Sequence, residues 1–254
     1  MEQGIRPGPI RLVVGLGNPG KEYERTRHNA GFWLVERFAA QSGVVLRKDG
    51  KFQALVGRQG GNGAWFVLPQ SFMNASGRPV QMIAGFFKIP AAEILVVHDE
   101  VDFPPGTARL KQGGGIAGHN GLRDISQRLA THDYWRLRVG VGHPGDKNAV
   151  PDYVLGKPSQ EDRAAIDEAI ARSIEVLPLC LSGDVQGAMQ KLHSVGKEKA
   201  PEKRPEPGTE TKKEAAGKEQ PEKAEPKARP RPEPQPEAAS EKKGLFGSIF
   251  GRKK

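Results

Sequence analysis

The chain has 254 residues, 36% of them hydrophobic, with 39 Lys and Arg against 30 Asp and Glu and a formal net charge of +9. That length holds one large domain or two small ones. The single cysteine, Cys180 in VLPLCLSG, excludes an intramolecular disulfide and reads as packing, not as a nucleophile. From Lys197 onward there are 16 Lys and Arg against 11 Glu, a net of +5, which leaves only +4 for residues 1–196. A nucleic-acid footprint on the folded part is therefore a local patch. No signal peptide and no apolar run of membrane length appears, so a cytoplasmic protein is expected.

Residues 1–9 form a short polar, Pro/Gly-containing leader. The branched apolar run from Ile10 to Val14 reads as a buried strand. It enters a tight turn, Gly15-Leu16-Gly17-Asn18-Pro19-Gly20, followed by a polar loop with Tyr23, Arg25, Arg27, His28 and Asn29. The turn spells G-x-G-x-x-G, the dinucleotide fingerprint. That fingerprint needs its third glycine to open a helix packed on the strand, and KEYERTRHN has no apolar face to pack. No acidic residue closes a second strand at the distance a ribose requires. The loop reads instead as a platform for side chains at the carboxyl edge of a sheet, with Asn18 and His28 as candidates.

Phe32, Val35, Phe38 and Ala39 recur at helical spacing, with Gly43 as a stop. Two or three strands follow, over Val44–Arg47, Phe52–Gly57 and Ala64–Leu68. A second polar loop, PQSFMNASGRP, leads to a helix that Asn74 is placed to cap and whose apolar face is Val80, Ile83, Ala84 and Phe87. Glu93–His98 reads as a strongly buried strand with Asp99, Glu100 and Asp102 at its carboxyl end. Thr107–Lys111 is another strand, and QGGGIAGHNG leads into a helix with Leu122, Ile125 and Leu129 on one face. Arg136–Gly142 alternates basic and apolar residues, as a half-exposed strand does. Residues 160–181 and 184–193 read as closing helices. The alternation gives an α/β single domain with a twisted mixed β-sheet flanked by helices, over residues 10–195. Residues 196–243 are Lys, Glu, Pro and Ala with almost nothing apolar, and read as a disordered tether. The end, residues 244–254, carries Leu245, Phe246, Ile249 and Phe250 beside Lys and Arg. It reads either as a short amphipathic docking element for an unknown partner or as an inert end.

Several chemistries drop out. There is no G-x-S-x-G elbow and no Walker A sequence. The six histidines, at 28, 98, 119, 132, 143 and 193, show no H-x-x-x-H or Cys/His clustering, so no metal and no cofactor is expected. What remains is a histidine, a carboxylate and several asparagines at loop junctions. His28 lies in a polar loop and is the best candidate base, with Asp99 as the partner that fixes its tautomer. An Asp after a strand serves equally as a turn cap. Asn18, Asn74 and Asn120 stand beside turns or helix starts, where an amide can both donate and accept. Gly113–Gly115 and Gly118–Gly121, with Lys111, Arg136 and Arg138, read either as a phosphate clamp or as a glycine hinge with solvated charges.

Taken together, GLGNPGKEYERTRHNAGF, PQSFMNASG, ILVVHDEVDFPPGTARLKQGGGIAGHNGLRDI, RLRVGVGHPG and VPDYVLGKP resemble the bacterial peptidyl-tRNA hydrolases. The resemblance spans residues 10–195, in order and without large gaps, and leaves out the tether and the end. It implies a monomeric α/β enzyme that cleaves the ester between a peptide and the 3′ adenosine of tRNA. By this resemblance His28 is the general base, Asp99 stabilises its working form, and Asn18 checks that the substrate nitrogen is acylated. Tyr23, Phe72, Asn74 and Asn120 contact the tRNA 3′ end and the peptide, and Met73 forms part of the cleft wall. Lys111 and Arg138 hold the 5′ phosphate. The competing readings are a non-catalytic RNA-binding protein on the same domain and a nucleotide-cofactor enzyme.

Overall fold

Seven short strands form one mixed sheet, in the order β2-β3-β4-β1-β5-β7-β6, with branched and aromatic residues concentrated in β1, β4, β5 and β7. The structure, a computed structural model, describes residues 8–61 and 63–194; the expectations for residues 1–7, the tether and the amphipathic end lie outside the described residues. The strands are β1 (Leu12–Gly15), β2 (Arg47–Asp49), β3 (Ala54–Arg58), β4 (Trp65–Pro69), β5 (Ile94–Glu100), β6 (Ala108–Gln112) and β7 (Trp135–Gly140). Helices α1 (Ala30–Gln41), α2 (Gly77–Phe86), α3 (Asn120–Leu129), α4 (Val150–Leu155), α5 (Gln160–Ser182) and α6 (Val185–Ser194) complete the order. β1 runs parallel to β4 and β5, and β5 parallel to β7, while the outer pairs are antiparallel.

The parallel centre is covered on both faces, which is why β1 and β5 are apolar without alternation. Val13, Leu95, Val97, Leu137 and Val139 face α1, α5 and α6. Leu12, Val14 and Val96 face α2 and α3, through Val80, Ile83, Leu122 and Ile125. Cys180 is fully buried in the first layer, where burial pushes its thiol up to about 12.

Three local expectations are corrected. Val44 does not start a strand: its N–H donates to the Ala39 carbonyl at 2.8 Å, and Gly43, at φ +67°, donates to Ala40. This is a glycine-terminated helix end that draws the following apolar residue into the core, so β2 begins only at Arg47. Asn74 does not cap α2. It sits in a one-turn 3-10 segment over Met73–Ala75, and the first amide of α2, at Gly77, instead donates across to Asp124 of α3 at 2.6 Å. β7 is not half-exposed, since Arg136 is 3% exposed with its guanidinium donating to the Gly113 and Gly115 carbonyls. Arg136 therefore pins the glycine loop, and the basic–apolar alternation there is not a solvent pattern.

The sheet brings its carboxyl rim close to the start of α1. The Leu16 N–H donates to the Val97 carbonyl at 2.9 Å, and the Phe32 N–H donates to the Leu16 carbonyl at 3.1 Å. Gly31 fits in this crossing because a Cβ there would overlap the Val97 carbonyl oxygen and the Leu16 backbone. Backbone on both sides cannot yield as a flexible side chain does. Gly31→Ala is expected to cost about 3 kcal/mol or more, at the upper end of overpacking effects. A chemical denaturation midpoint equal to that of the unaltered chain contradicts this.

Candidate active site

The loop after β1, the loop after β4, the end of β5, the start of α3 and helix α4 enclose a cleft of about 370 Å³. Asn18, Tyr23, His28, Phe72, Met73, Asn74, Asp99 and Asn120 all line it. Lys111 and Arg138 do not. They lie on one face of the β6–β7 ladder, where Lys111 stands opposite Arg136, and Arg138 opposite Arg109. Arg138 Nε donates to Glu100 at 2.7 Å and its guanidinium lies over the Phe103 ring, so only its two terminal nitrogens stay available.

At the floor of the cleft, His28 Nδ1 lies 2.9 Å from both oxygens of Asp99. A carboxylate accepts, so Nδ1 carries the proton and the other nitrogen, Nε2, is left with a free lone pair. Burial pulls the His28 pKa down, but the Asp99 charge and hydrogen bond outweigh it and hold the value above 6.5. Burial raises the Asp99 carboxyl, and the two imidazoles beside it reverse this, leaving it well below the ordinary carboxylate range.

The second imidazole is His119, which sequence reasoning did not select. Its Nε2 lies 3.1 Å from Asp99 Oδ1, and its Nδ1 accepts from the Gly121 and Leu122 amides at 3.2 and 3.4 Å. Those two amide donors fix the tautomer: Nδ1 is bare, and Nε2–H donates to Asp99. His119 thus caps α3, and Asn120 is the first helical residue, exposed at the cleft edge. The signal for His119 was present as a histidine directly before a helix start in a glycine-rich loop. Its contact with Asp99 was not visible along the chain.

His28, Asp99 and His119 form a group with the composition of a divalent-metal site, the ligating atoms lying within 4.8 Å of one another. The hydrogen-bond network opposes that use. A metal at His119 Nε2 would force the proton onto Nδ1, directly against two backbone donors.

Asn18 is 7% exposed, and its Oδ1 accepts from the Met73 N–H at 2.8 Å. An acceptor is required there, so the side-chain NH2 is the half turned to the cleft. Asn29, absent from the candidate set, brackets the same residue: its amide accepts from the Asn18 N–H and donates to the Asn18 carbonyl, both at 2.9 Å. Tyr23 and the 61%-exposed Phe72 meet edge to face, 6.3 Å between centroids, at the cleft mouth. The glycines of the first turn have packing reasons, since a Cβ on Gly15 or Gly17 would strike Gly31 or Phe32. α1 opens ten residues after Gly20, not at it, as a dinucleotide site would require.

A parallel-centred sheet with an imidazole, a buried carboxylate and amide side chains on its carboxyl rim has the composition of a hydrolase-type site. Comparison with known proteins places it further. The family model for peptidyl-tRNA hydrolase matches residues 12–202. The peptidyl-tRNA hydrolase of Nitrosospira multiformis is 54% identical over 187 residues, 73% of this chain and 98% of that one. That of Thiobacillus denitrificans is 54% identical over 186 residues, 73% of this chain and 91% of its own. The crystal structure of peptidyl-tRNA hydrolase from Acinetobacter baumannii superposes with a TM-score of 0.71 at 43% identity, covering 74% of this chain and 97% of that one. The chain belongs to the peptidyl-tRNA hydrolase family.

The Asp99 charge acts on His28 most strongly in the imidazolium form. Asp99→Asn is expected to drop the His28 pKa from above 6.5 to below it, since burial is then unopposed. An imidazole titration followed by NMR reads this directly, and an unchanged midpoint refutes it. The linkage sign is also set. The raised His28 contributes stability below pH 6.5, lost as pH rises through its folded-state pKa, whereas the depressed Asp99 contributes above pH 3.8, lost in acid. The stability gap between the unaltered chain and Asp99→Asn is therefore expected to be wider at pH 5.5 than at pH 9.

Proposed function

We propose that this cleft cleaves peptidyl-tRNA by aiming a water, deprotonated by His28, at the carbonyl of the ester joining the peptide to the tRNA 3′ end. Hydrolysis of peptidyl-tRNA is the activity that the family membership supports. The observation that supports the residue assignment is the His28–Asp99 contact, with one imidazole nitrogen anchored by carboxylate and the other free on the cleft side. An aminoacyl ester is already activated, so a positioned base worth about 10²–10⁴-fold, with binding and donors for the oxyanion, suffices without a covalent intermediate.

In this reading Asp99 holds the tautomer and favours the imidazolium that forms as water loses its proton. It is a positioning residue, with His119 behind it. The Asn18 NH2 donor selects against ordinary aminoacyl-tRNA: an acylated nitrogen brings a peptide carbonyl for it to meet, whereas a free α-ammonium offers only donors. Tyr23 and Phe72 suit stacking of the unpaired 3′ bases, and Asn74 and Asn120 on the cleft edges suit amide contacts to ribose or peptide. Met73 closes the wall. Lys111 and the terminal nitrogens of Arg138 supply phosphate contacts that position the tRNA without reading sequence.

Residues 10–195 are proposed to be sufficient for catalysis, as a monomer in the cytoplasm where the substrate is made. Among the described residues no helix is long and apolar enough to cross a membrane. The end at 244–254, a docking element or an inert end, is proposed to lie outside the reaction.

His28→Ala is expected to fold normally and to lose at least about 10²-fold in kcat on N-acetyl-aminoacyl-tRNA; full activity rules out the base. With Asp99→Asn, kcat should fall less, and the acid limb of its pH profile should move to lower pH, following the lowered His28 pKa. Asn18→Ala should cost about tenfold or more in kcat/KM on the N-acetylated substrate, the worth of one hydrogen bond to the peptide carbonyl. Equal kinetics with and without the acetyl group in the unaltered enzyme rule out the selection argument. A chain ending at Val195 should hydrolyse at the full-length rate, and loss of activity would place the tether in the site.

A further inference from the structure

Helix α4 is too short, at six residues, to persist on its own, yet Val150, Pro151, Val154 and Leu155 from it form one wall of the cleft. What holds it is Arg27, the residue beside His28. Arg27 is 8% exposed. Its Nη1 donates to the Lys157 carbonyl at 2.9 Å and the Tyr153 carbonyl at 3.3 Å, while its backbone N–H donates to the Gly156 carbonyl at 3.1 Å. The guanidinium also lies 4.0 Å from the centre of the Tyr153 ring, and Nη2 reaches Asp162 of α5 at 3.5 Å. One cation thus meets the carbonyls at the C-terminus of α4, where the helix dipole favours positive charge, and ties them to a long neighbouring helix. Tyr153 adds a bond from its hydroxyl to the Val141 carbonyl at 2.9 Å.

We propose that Arg27 is a specificity-determining positioning residue: it latches α4 in register with His28, so that the aliphatic wall of the cleft receives the side chain of the amino acid at the scissile ester. This rests on the ester-hydrolase reading and extends it to the acyl side of the substrate. The aromatic pair Tyr23–Phe72 at the mouth offers faces for the bases of the tRNA end. The α4 wall offers only Val, Pro and Leu, with Leu155 still 44% exposed, which suits an apolar side chain and not a nucleobase. Since Arg27 and His28 are adjacent, any slack in the latch changes the distance between wall and base.

The test compares N-acetyl-phenylalanyl-tRNA with N-acetyl-glycyl-tRNA on the full-length enzyme and its Arg27→Ala and Arg27→Lys variants. The unaltered enzyme is expected to have the lower KM for the phenylalanyl substrate. In Arg27→Ala that KM rises about tenfold, the worth of a modest apolar contact, while the glycyl KM moves by less than about twofold. kcat and the acid limb of the pH profile stay in place, and amide hydrogen exchange accelerates over residues 150–157. Arg27→Lys recovers part of the difference, because one point charge replaces a two-pronged donor. The proposal is overturned by equal losses on both substrates, by a fall in kcat at unchanged KM, by a displaced acid limb, or by an unaltered enzyme with equal KM values. If Arg27→Ala does not fold, Leu155→Ser carries the test: lost preference supports the wall, retained preference overturns it. An unaltered enzyme inert on both substrates instead removes the ester-hydrolase reading beneath.

Discussion

A carboxylate 3% exposed, held between two imidazoles, is the constraint on which the rest of the molecule depends. Burying Asp99 is unfavourable unless its charge is met. His28 and His119 meet it with one N–H each, and each is itself fixed from elsewhere. His119 is held by the first amides of α3. His28 is held by a loop whose next residue, Asn29, brackets Asn18. The carboxylate thus joins the loop after β1 to the start of α3 through the two imidazoles.

The sheet makes this arrangement possible. β1 and β5 are parallel neighbours, so their carboxyl ends open on the same rim, and the chain segments that leave them must cross it. The crossing is tight enough to require glycine at residue 31. That close approach brings a 3-10 turn carrying His28 within hydrogen-bond distance of the end of β5, 71 residues away. The glycine-rich segment before α3 is held from below by Arg136, a buried cation whose partners are carbonyls. The loop is thereby fixed against the sheet, and Lys111 and Arg138 form a separate basic strip beside the cleft.

The electrostatic design sets the pH range of the site. Burial lowers the basicity of the imidazole while the carboxylate raises it, and the balance leaves the His28 pKa above its ordinary value. The same carboxylate determines which nitrogen is free. Asn18 is oriented by an equally local device, a backbone N–H that demands the carbonyl half of the amide and leaves the donor half turned to the cleft. Each functional group is thus oriented by a neighbour with only one acceptable hydrogen-bond sense.

The amino-acid sequence by itself determined the alternation of strands and helices, the sites of the glycine turns, and which polar residues were left over once the apolar faces were assigned. These are properties of spacing along the chain: Asn18 and His28 stood out because they sit in the loop that follows an apolar strand, and Asp99 because it is a carboxylate at the carboxyl end of one. The resemblance of their surrounding motifs to a known family then attached roles to them. Only the tertiary structure decided that Arg136 is buried, that Asn74 and Asn120 are not helix caps, that His119 completes the carboxylate's shell, and that Val44 closes a helix instead of starting a strand. It also decided that α4 exists as a wall at all, because a six-residue helix has no periodicity long enough to be seen and owes its shape to an arginine 120 or more positions earlier. Hydrogen bonds between residues distant in sequence are set by the register of neighbouring strands and by close backbone crossings, and neither leaves a mark in the order of residues.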